Sequence, residues 1–181
     1  MDAITLPLAN QLRVLAAPHA AAPMMLELSA RLALTGSLRV LDGGNRFNVY
    51  PVARSVRRYT AELTAVLARI HVVRAFTCCQ AAAILAEMKA DACPLLVIDL
   101  LATFYDESVR LEESQRLLLG CIAHLRRLSQ AAPVVVSAKP PAAPLMERRV
   151  LLELLEEAAD GAWRLEALPA PESPTLWGRE D

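Results

Sequence analysis

The sequence predicts an α/β fold in which helices flank both faces of a mostly parallel central sheet. Short apolar segments alternate with helical stretches along the chain, which is the pattern of such folds. The segment 95–98 is apolar at every position, as strands buried on both faces are. Aromatic residues are only 4% of 181 residues, so the core must be aliphatic, and this favours layered helices and buried strands over a β-sandwich.

The predicted elements follow one another in a regular order. Gly36 ends the first helix, and Pro51 stands at the first turn of the second. We expect one domain over residues 1–166 and a proline-rich C-terminal tail over 167–181, without internal repeats. The predicted strands are 12–16, 38–41, 70–75, 95–98 and 134–136, and the predicted helices are 23–34, 52–69, 80–89, 112–128 and 145–159.

Composition and charge exclude several classes of protein. An apolar content of 55% excludes a disordered chain, and a net charge of −1 gives no global attraction to nucleic acid or to an anionic membrane. Asp2 stands where a secretory signal would be basic, and no apolar run approaches the ~20 residues that span a bilayer. Four cysteines lack C-x-x-C spacing. We therefore expect a cytoplasmic protein without a membrane partner.

Candidate site residues follow the strands, because ligands of open parallel sheets bind at the carboxyl ends of the strands. The segments there are 17–24 after the first strand, Asp42-Gly43-Gly44-Asn45 after the second and Arg74-Ala75-Phe76 after the third. Asp99 follows the fourth strand, and Ser137 to Lys139 follow the fifth. In this order the segments resemble the RecA-like recombinase and ATPase family, over about residues 12–166. The resemblance implies a three-layer, P-loop NTPase-type fold.

The residues aligned with the family's phosphate-binding loop cannot perform its task. Such a loop needs glycines, a lysine and a Ser/Thr hydroxyl on Mg²⁺. The resemblance places Ala17 and Ala22 where glycines belong, Pro23 in the place of the lysine and Met24 in the place of the hydroxyl. Gly44 aligns with the water-activating glutamate, and a glycine can neither orient nor deprotonate water. We therefore expect a protein that is not an enzyme, without a cofactor.

Three residues of the aligned site keep a side chain that could act. Asp99 matches the Walker B strand end, and Asp42 lies beside it. The two carboxylates could hold a divalent ion through water, although capping or turn roles are more common for such residues. Lys139 aligns with the family's sensing glutamine. It could pair with Asp99, bind an anion, or remain a solvated loop residue.

Nucleic-acid binding requires a separate surface in this sequence. The family's two DNA-binding loops align with 103–110, which is acidic, and with 139–144, which proline stiffens. Arg54, Arg57 and Arg58 fall at i, i+3 and i+4 on the predicted helix 52–69, with Arg46 just upstream. This face could follow a nucleic-acid backbone or could simply be solvated. The pair Arg148-Arg149 is expected to be a solvated pair near a helix end.

The sequence therefore predicts a non-catalytic RecA-like pseudo-ATPase that acts as an interaction or scaffold subunit, in the DNA recombination or repair setting of the family. Two alternatives remain: a nucleic-acid-binding module that uses the basic helix face, and a residual nucleotide or Mg²⁺ binder. The expected partner is a second copy or another RecA-like subunit, with DNA as a further partner. Surplus apolar residues on the predicted helix 112–128 require cover from the core or from another subunit.

Overall fold

The computed structural model describes residues 10–165, which form an α/β fold around one six-stranded sheet. All strands are parallel, and their spatial order is β3-β2-β4-β5-β1-β6. The parallel α/β architecture predicted from the sequence is confirmed. The strands are β1 (Leu12–Ala16), β2 (Leu38–Asp42), β3 (Ile70–Arg74), β4 (Leu95–Ile98), β5 (Val134–Ala138) and β6 (Gly161–Arg164).

Six α-helices and three short 3-10 helices cover the sheet within the described residues. The 3-10 helices are Pro18–Ala21, Leu100–Thr103 and Ala143–Arg148. The first three α-helices share a core with one face of the sheet, and the other three share a core with the opposite face. The α-helices are α1 (Ala22–Thr35), α2 (Val49–Val56), α3 (Leu63–Leu67), α4 (Cys78–Glu87), α5 (Leu111–Ser129) and α6 (Arg149–Glu157).

Alternation along the central strands separates the two cores. In β1, Val14 belongs to the core beneath α4, α5 and α6, whereas Leu15 packs with Met25 of α1. β4 repeats this pattern, since Val97 lies in the first core and Leu96 in the second. Successive side chains of a strand point to opposite faces, so strands that are apolar throughout serve both layers.

The predicted helix over residues 52–69 is wrong in its continuity. α2 begins earlier, because the Asn48 side chain accepts a hydrogen bond from the Tyr50 N–H, and it ends at Val56. The chain then turns, and the Thr60 hydroxyl accepts from the Glu62 N–H, which gives the backbone an alternative to the helical hydrogen bond. The turn lets α3 fold back so that Val66 shares a core with Val56.

Two further differences lie near the end of the described chain. No element was predicted after the helix 145–159, yet β6 (Gly161–Arg164) adds a sixth strand alongside β1. The predicted helix over 145–159 is divided into the 3-10 turn Ala143–Arg148 and α6. The start of the predicted domain (1–9), residue 166 and the predicted tail 167–181 lie outside the described residues.

The apolar surplus of α5 is covered mainly by the core. α5 packs against both α4 and α6, and five of its apolar residues are buried. Leu119 is 53% exposed. Of the two covers predicted for this helix, the core is therefore the one observed in the described part of the chain. The buried residues are Leu118, Cys121, Ile122, Leu125 and Leu128. No helix within residues 10–165 combines the length and apolarity needed to cross a membrane.

Candidate functional site

Asp42 and Asp99 lie at the carboxyl ends of neighbouring strands. Asp42 is the last residue of β2, Asp99 follows β4, and β2 pairs directly with β4. Both aspartates are about 1% exposed. A buried carboxylate requires hydrogen-bond donors or a cation. The partners of these two side chains therefore determine what the carboxyl end of the sheet can bind.

Asp42 is satisfied by the loop that follows its own strand. Its two carboxylate oxygens accept hydrogen bonds from the main-chain N–H groups of Arg46 and Phe47, each at 2.9 Å. The Arg74 Nε, at the end of β3, donates to the same carboxylate at 3.3 Å. The aspartate thus closes the loop after β2 and ties it to the neighbouring strand. This matches the turn role that the sequence analysis weighed against metal binding.

Asp99 is satisfied mainly by Arg46. The Arg46 Nε donates to Asp99 Oδ2 at 2.6 Å. The Asp99 N–H donates to the Ser137 hydroxyl, and its backbone is left-handed, with φ of 54°. The Lys139 N–H donates to Asp99 Oδ1 at 3.3 Å, so Lys139 contacts the aspartate through its main chain. Lys139 as a whole is exposed. The Arg46 guanidinium is the cation beside Asp99, and the pairing with Lys139, one of three alternatives left open for that lysine, is not observed within residues 10–165.

Two glycines allow the loop after β2 to approach Asp99. A Cβ placed on Gly43 would lie 2.8 Å from the Asp99 carbonyl oxygen. A Cβ on Gly44 would lie 2.6 Å from both Cβ and Oδ2 of Asp99. Neither distance is compatible with a real side chain in this arrangement. The position that the resemblance aligns with a catalytic glutamate is therefore packed against a carboxylate.

The connection between β1 and α1 uses its main-chain N–H groups internally. Five of the seven residues 17–23 have no free N–H, because two are prolines and three donate to carbonyl oxygens. A phosphate-binding loop presents these groups to the anion. This connection therefore offers few donors to a phosphate. The prolines are Pro18 and Pro23, and the engaged donors are Ala17, Ala20 and Ala22, which donate to Ala138, Ala17 and His19, respectively.

The same connection has a left-handed backbone at three consecutive residues, none of them glycine. His19, Ala20 and Ala21 have φ values of 54°, 53° and 49°. Non-glycine residues adopt this conformation at an energetic cost, and consecutive ones are rare. The Ala20 side chain is fully buried and the Ala21 side chain nearly so. This part of the turn is therefore packed into the protein, whereas a phosphate-binding loop has to leave its main chain accessible to the anion.

A groove of about 630 Å³ lies beside the acid pair. It runs between the loop after β2, the start of α2 and the end of β3. Arg46 and Arg74, which line it, balance the charge of the two aspartates behind them. No group of three or more potential metal ligands occurs among residues 10–165. The groove is lined by Asn45, Arg46, Phe47, Asn48, Val49, Val72 and Arg74.

The tyrosine behind Lys139 fixes the end of β5. The Tyr105 hydroxyl donates to the Lys139 carbonyl oxygen at 3.0 Å. Burial raises the pKa of Tyr105 well above its ordinary value, and the charges of Asp99 and Glu156 act in the same direction. Tyr105 is therefore a neutral donor that holds the chain as it leaves the sheet.

The four arginines considered for nucleic-acid binding are divided between two places. Arg46 belongs to the acid pair. Arg54 lies on α2, Arg57 is its C-cap, and Arg58 lies in the turn that follows. Arg58 forms an ion pair with Glu27 of α1 at 2.7 Å. The predicted basic face is thus shorter than the sequence analysis expected, and one of its members is already paired.

No pattern in the sequence indicated which arginines neutralise the acid pair. Arg46 was considered only for nucleic acid, and Arg74 appeared only as part of the Arg-Ala-aromatic strand end. Arg148 was expected to be solvated, but it is 3% exposed, which corrects that expectation. A buried arginine in the sequence carries no local signal of its burial. In comparisons with known proteins, no family model and no curated protein matches this chain.

Proposed function

We propose that this chain is a non-catalytic interaction subunit built on a RecA-like core, which binds another protein chain instead of turning over a nucleotide. The observation that carries the proposal is the β1–α1 connection, in which five of seven residues have no free N–H and three alanines (Ala17, Ala20 and Ala21) are buried. Phosphoryl transfer depends on positioning and on charge stabilisation. DNA recombination or repair is the setting that the resemblance suggests for this role.

The acid pair also favours this role over residual binding of Mg²⁺ and nucleotide. Arg46 and Arg74 already supply one positive charge to each aspartate. A divalent ion would have to displace them, because Mg²⁺ binds where carboxylates carry surplus negative charge. The side chain of Lys139 makes no ion pair with Asp99 in the described part of the chain. These contacts favour a structural role for the acid pair, in which it links neighbouring strands of the sheet.

The catalytic half of the proposal is tested by an ATPase assay and by calorimetry on the full chain. We expect no phosphate release above the buffer rate and no heat of binding with ATP and Mg²⁺. The Asp99→Asn variant removes the one matched Walker B carboxylate and should leave both measurements unchanged. An ATPase rate that survives purification of the wild type and is lost in Asp99→Asn would contradict the proposal.

The partner surface that we propose is the free edge of β3. Among residues 10–165, β3 pairs with β2 alone, so its other side has main-chain groups that no described residue pairs with. The Leu38 N–H donates to the Arg69 carbonyl oxygen, and the Ala75 N–H donates to the Asp42 carbonyl oxygen. The main-chain groups of the odd-numbered residues of β3 therefore face β2. The N–H and C=O groups of Ile70, Val72 and Arg74 therefore point outward. Exposed apolar side chains flank them, with Phe76 70% exposed.

A second copy of this chain fits that edge in antiparallel pairing. With Val72 opposite the partner's Val72, each Ile70 lies opposite the partner's Arg74, and the outward main-chain groups face one another. The three pairs would exchange roughly six hydrogen bonds. No two like charges stand directly opposite each other, and such an arrangement would destabilise an antiparallel pair. The edge is thus self-complementary around a two-fold axis.

The oligomeric state tests this surface. Sedimentation velocity across a concentration series should show a dimer for the wild type. Val72→Lys places a charge at the centre of the paired edge and should give a monomer. Leu119→Lys, at an exposed apolar position on α5, is the matched control and should remain dimeric. A monomeric wild type, or a dimeric Val72→Lys variant, would exclude this surface as a self-association site.

A further inference from the structure

The outer face of α2 carries an aromatic ring in line with two arginines. Tyr50, Arg54 and Arg57 are spaced i, i+4 and i+7, and Arg57 keeps a helical backbone as the C-cap, with φ of −59° and ψ of −20°. All three are exposed, and Tyr50 is 80% exposed. Val52 and Val56 are buried on the opposite side of the helix. We call Tyr50, Arg54 and Arg57 the α2 stripe.

The charge around the α2 stripe is positive. Arg54 and Arg57 form no ion pair with any residue in the range 10–165. Nearby, Arg31 and Arg58 share the single carboxylate of Glu27, at 3.1 and 2.7 Å. Four arginines thus face one paired glutamate on this part of the α1–α2 surface. A polyanion is the ligand that this charge complements.

A second aromatic ring lies at the end of the α2 stripe. Tyr59 is exposed, and the Arg58 guanidinium lies 5.9 Å from its ring centroid. Glu62, at the start of α3, is the other acid in this region and would repel a phosphate near it. The positive and aromatic groups are therefore concentrated toward α2 itself, from Tyr50 to Tyr59.

We propose that the α2 stripe binds single-stranded nucleic acid, with Tyr50 as a stacking platform for a base and Arg54 and Arg57 as phosphate contacts. Single-strand binding combines cations that follow the backbone with exposed aromatic faces on which bases stack. A duplex keeps its bases stacked on one another, so it could use the arginines but not the tyrosine. The α2 stripe shares no residue with the β3 edge proposed above, so each proposal is tested by its own variants.

The α2 stripe is short, which limits the strength of this binding. Seven residues of helix span about 10 Å, enough for only a few nucleotides. For a single strand, log K falls with log salt at about −0.7 per neutralised phosphate, so the two contacts of Arg54 and Arg57 give a slope near −1.4. We therefore expect binding that is measurable at low salt and weak at physiological salt.

Fluorescence anisotropy with an end-labelled oligothymidylate at low salt tests the proposal on the full chain. Tyr50→Ala should raise Kd about five- to tenfold, the low end of what loss of one stacked base costs. Tyr50→Phe should bind like the wild type, because the ring is kept. The double variant Arg54→Ala/Arg57→Ala should reduce the salt slope by about 1.4.

Matched controls separate this surface from general charge. Arg110→Ala/Arg116→Ala makes the same change of net charge on exposed positions at α5 and should leave Kd unchanged. Phe76→Ala removes an exposed ring elsewhere and should have no effect. All these side chains are exposed, so circular dichroism should show an intact fold in each variant.

Two results would overturn the proposal. The first is no binding of the oligothymidylate at low salt. The second is equal binding of a duplex and of the single strand with no effect of Tyr50→Ala, which would indicate a general polyanion surface. Neither result bears on the dimer or on the absence of ATP turnover, since those are measured with Val72→Lys and Asp99→Asn.

Discussion

Arg46 is held at both ends by the two aspartates of adjacent strands. Its main-chain N–H donates to Asp42 at 2.9 Å, and its side-chain Nε donates to Asp99 at 2.6 Å. One arginine therefore links the carboxyl end of β2 to that of β4. Both buried carboxylates, which are possible metal ligands, are therefore hydrogen-bonded by the protein itself.

The Arg46–Asp99 pair should contribute measurably to stability. Arg46→Met leaves a buried carboxylate without its cation, and we expect the free energy of unfolding to fall by about 1–3 kcal/mol. Arg46 is 30% exposed on its side chain, so solvent screening holds the effect toward the low end. Urea unfolding of Arg46→Met, Asp99→Asn and the double variant gives the coupling energy. A coupling within error of zero would contradict the pair.

Gly44→Ala should destabilise the protein by about 1–3 kcal/mol, because the new methyl group would overlap the Asp99 side chain. Gly120→Ala is the matched control. Gly120 lies inside α5 with open space around its Cβ position, so alanine there should stabilise by about 0.5–1 kcal/mol. Thermal unfolding of both variants measures the contrast. Equal effects would mean that the loop after β2 moves away from Asp99 without cost.

Arg148→Met should cost about 2 kcal/mol of stability. The Arg148 guanidinium donates to the carbonyl oxygens of Phe104 and Val109 and to the Ser114 hydroxyl, so it holds the loop after β4 against the start of α5. Arg149→Ala is the control. Among residues 10–165, Arg149 makes only an exposed pair with Glu153, so the substitution should cost about a few tenths of a kcal/mol. Urea unfolding compares the two. A larger loss in Arg149→Ala would contradict the assignment.

The stability of the α1–α2 contact should depend on acid pH through Glu27. A hydrogen bond from the Ser55 hydroxyl, with support from Arg31 and Arg58, lowers the pKa of Glu27 below its ordinary 4.5. The ionised carboxylate therefore stabilises the fold above pH 4.5, and this contribution is lost as pH falls through the lowered pKa.

Glu27→Gln should accordingly be less stable than the wild type at neutral pH and approach it in acid. Ser55→Ala should move the pKa of Glu27 back toward 4.5. Carboxyl NMR titration of the wild type and of Ser55→Ala measures the shift directly. A titration of Glu27 at or above 4.5 in the wild type would contradict the contacts described for it.

The sequence determined the central strands and the acid pair by itself. β4 was predicted with the bounds it has, because a strand buried on both faces must be apolar at every position. Asp42 and Asp99 could be placed at the carboxyl ends of the strands, because each stands where a predicted strand ends. Burial of a strand on both faces shows as a run of consecutive apolar residues, so it can be recognised without knowing the rest of the fold.

Only the tertiary structure decided which cations meet those carboxylates and where the chain bends. Arg46 and Asp99 are 53 residues apart, and they meet because β4 is placed beside β2. β6 is short and exposed, and it exists through its pairing with β1. The burial of Arg148 likewise depends on distant carbonyl groups. Ion pairs, edge strands and buried arginines depend on partners far along the chain. A local pattern of residues therefore cannot predict which partners will meet.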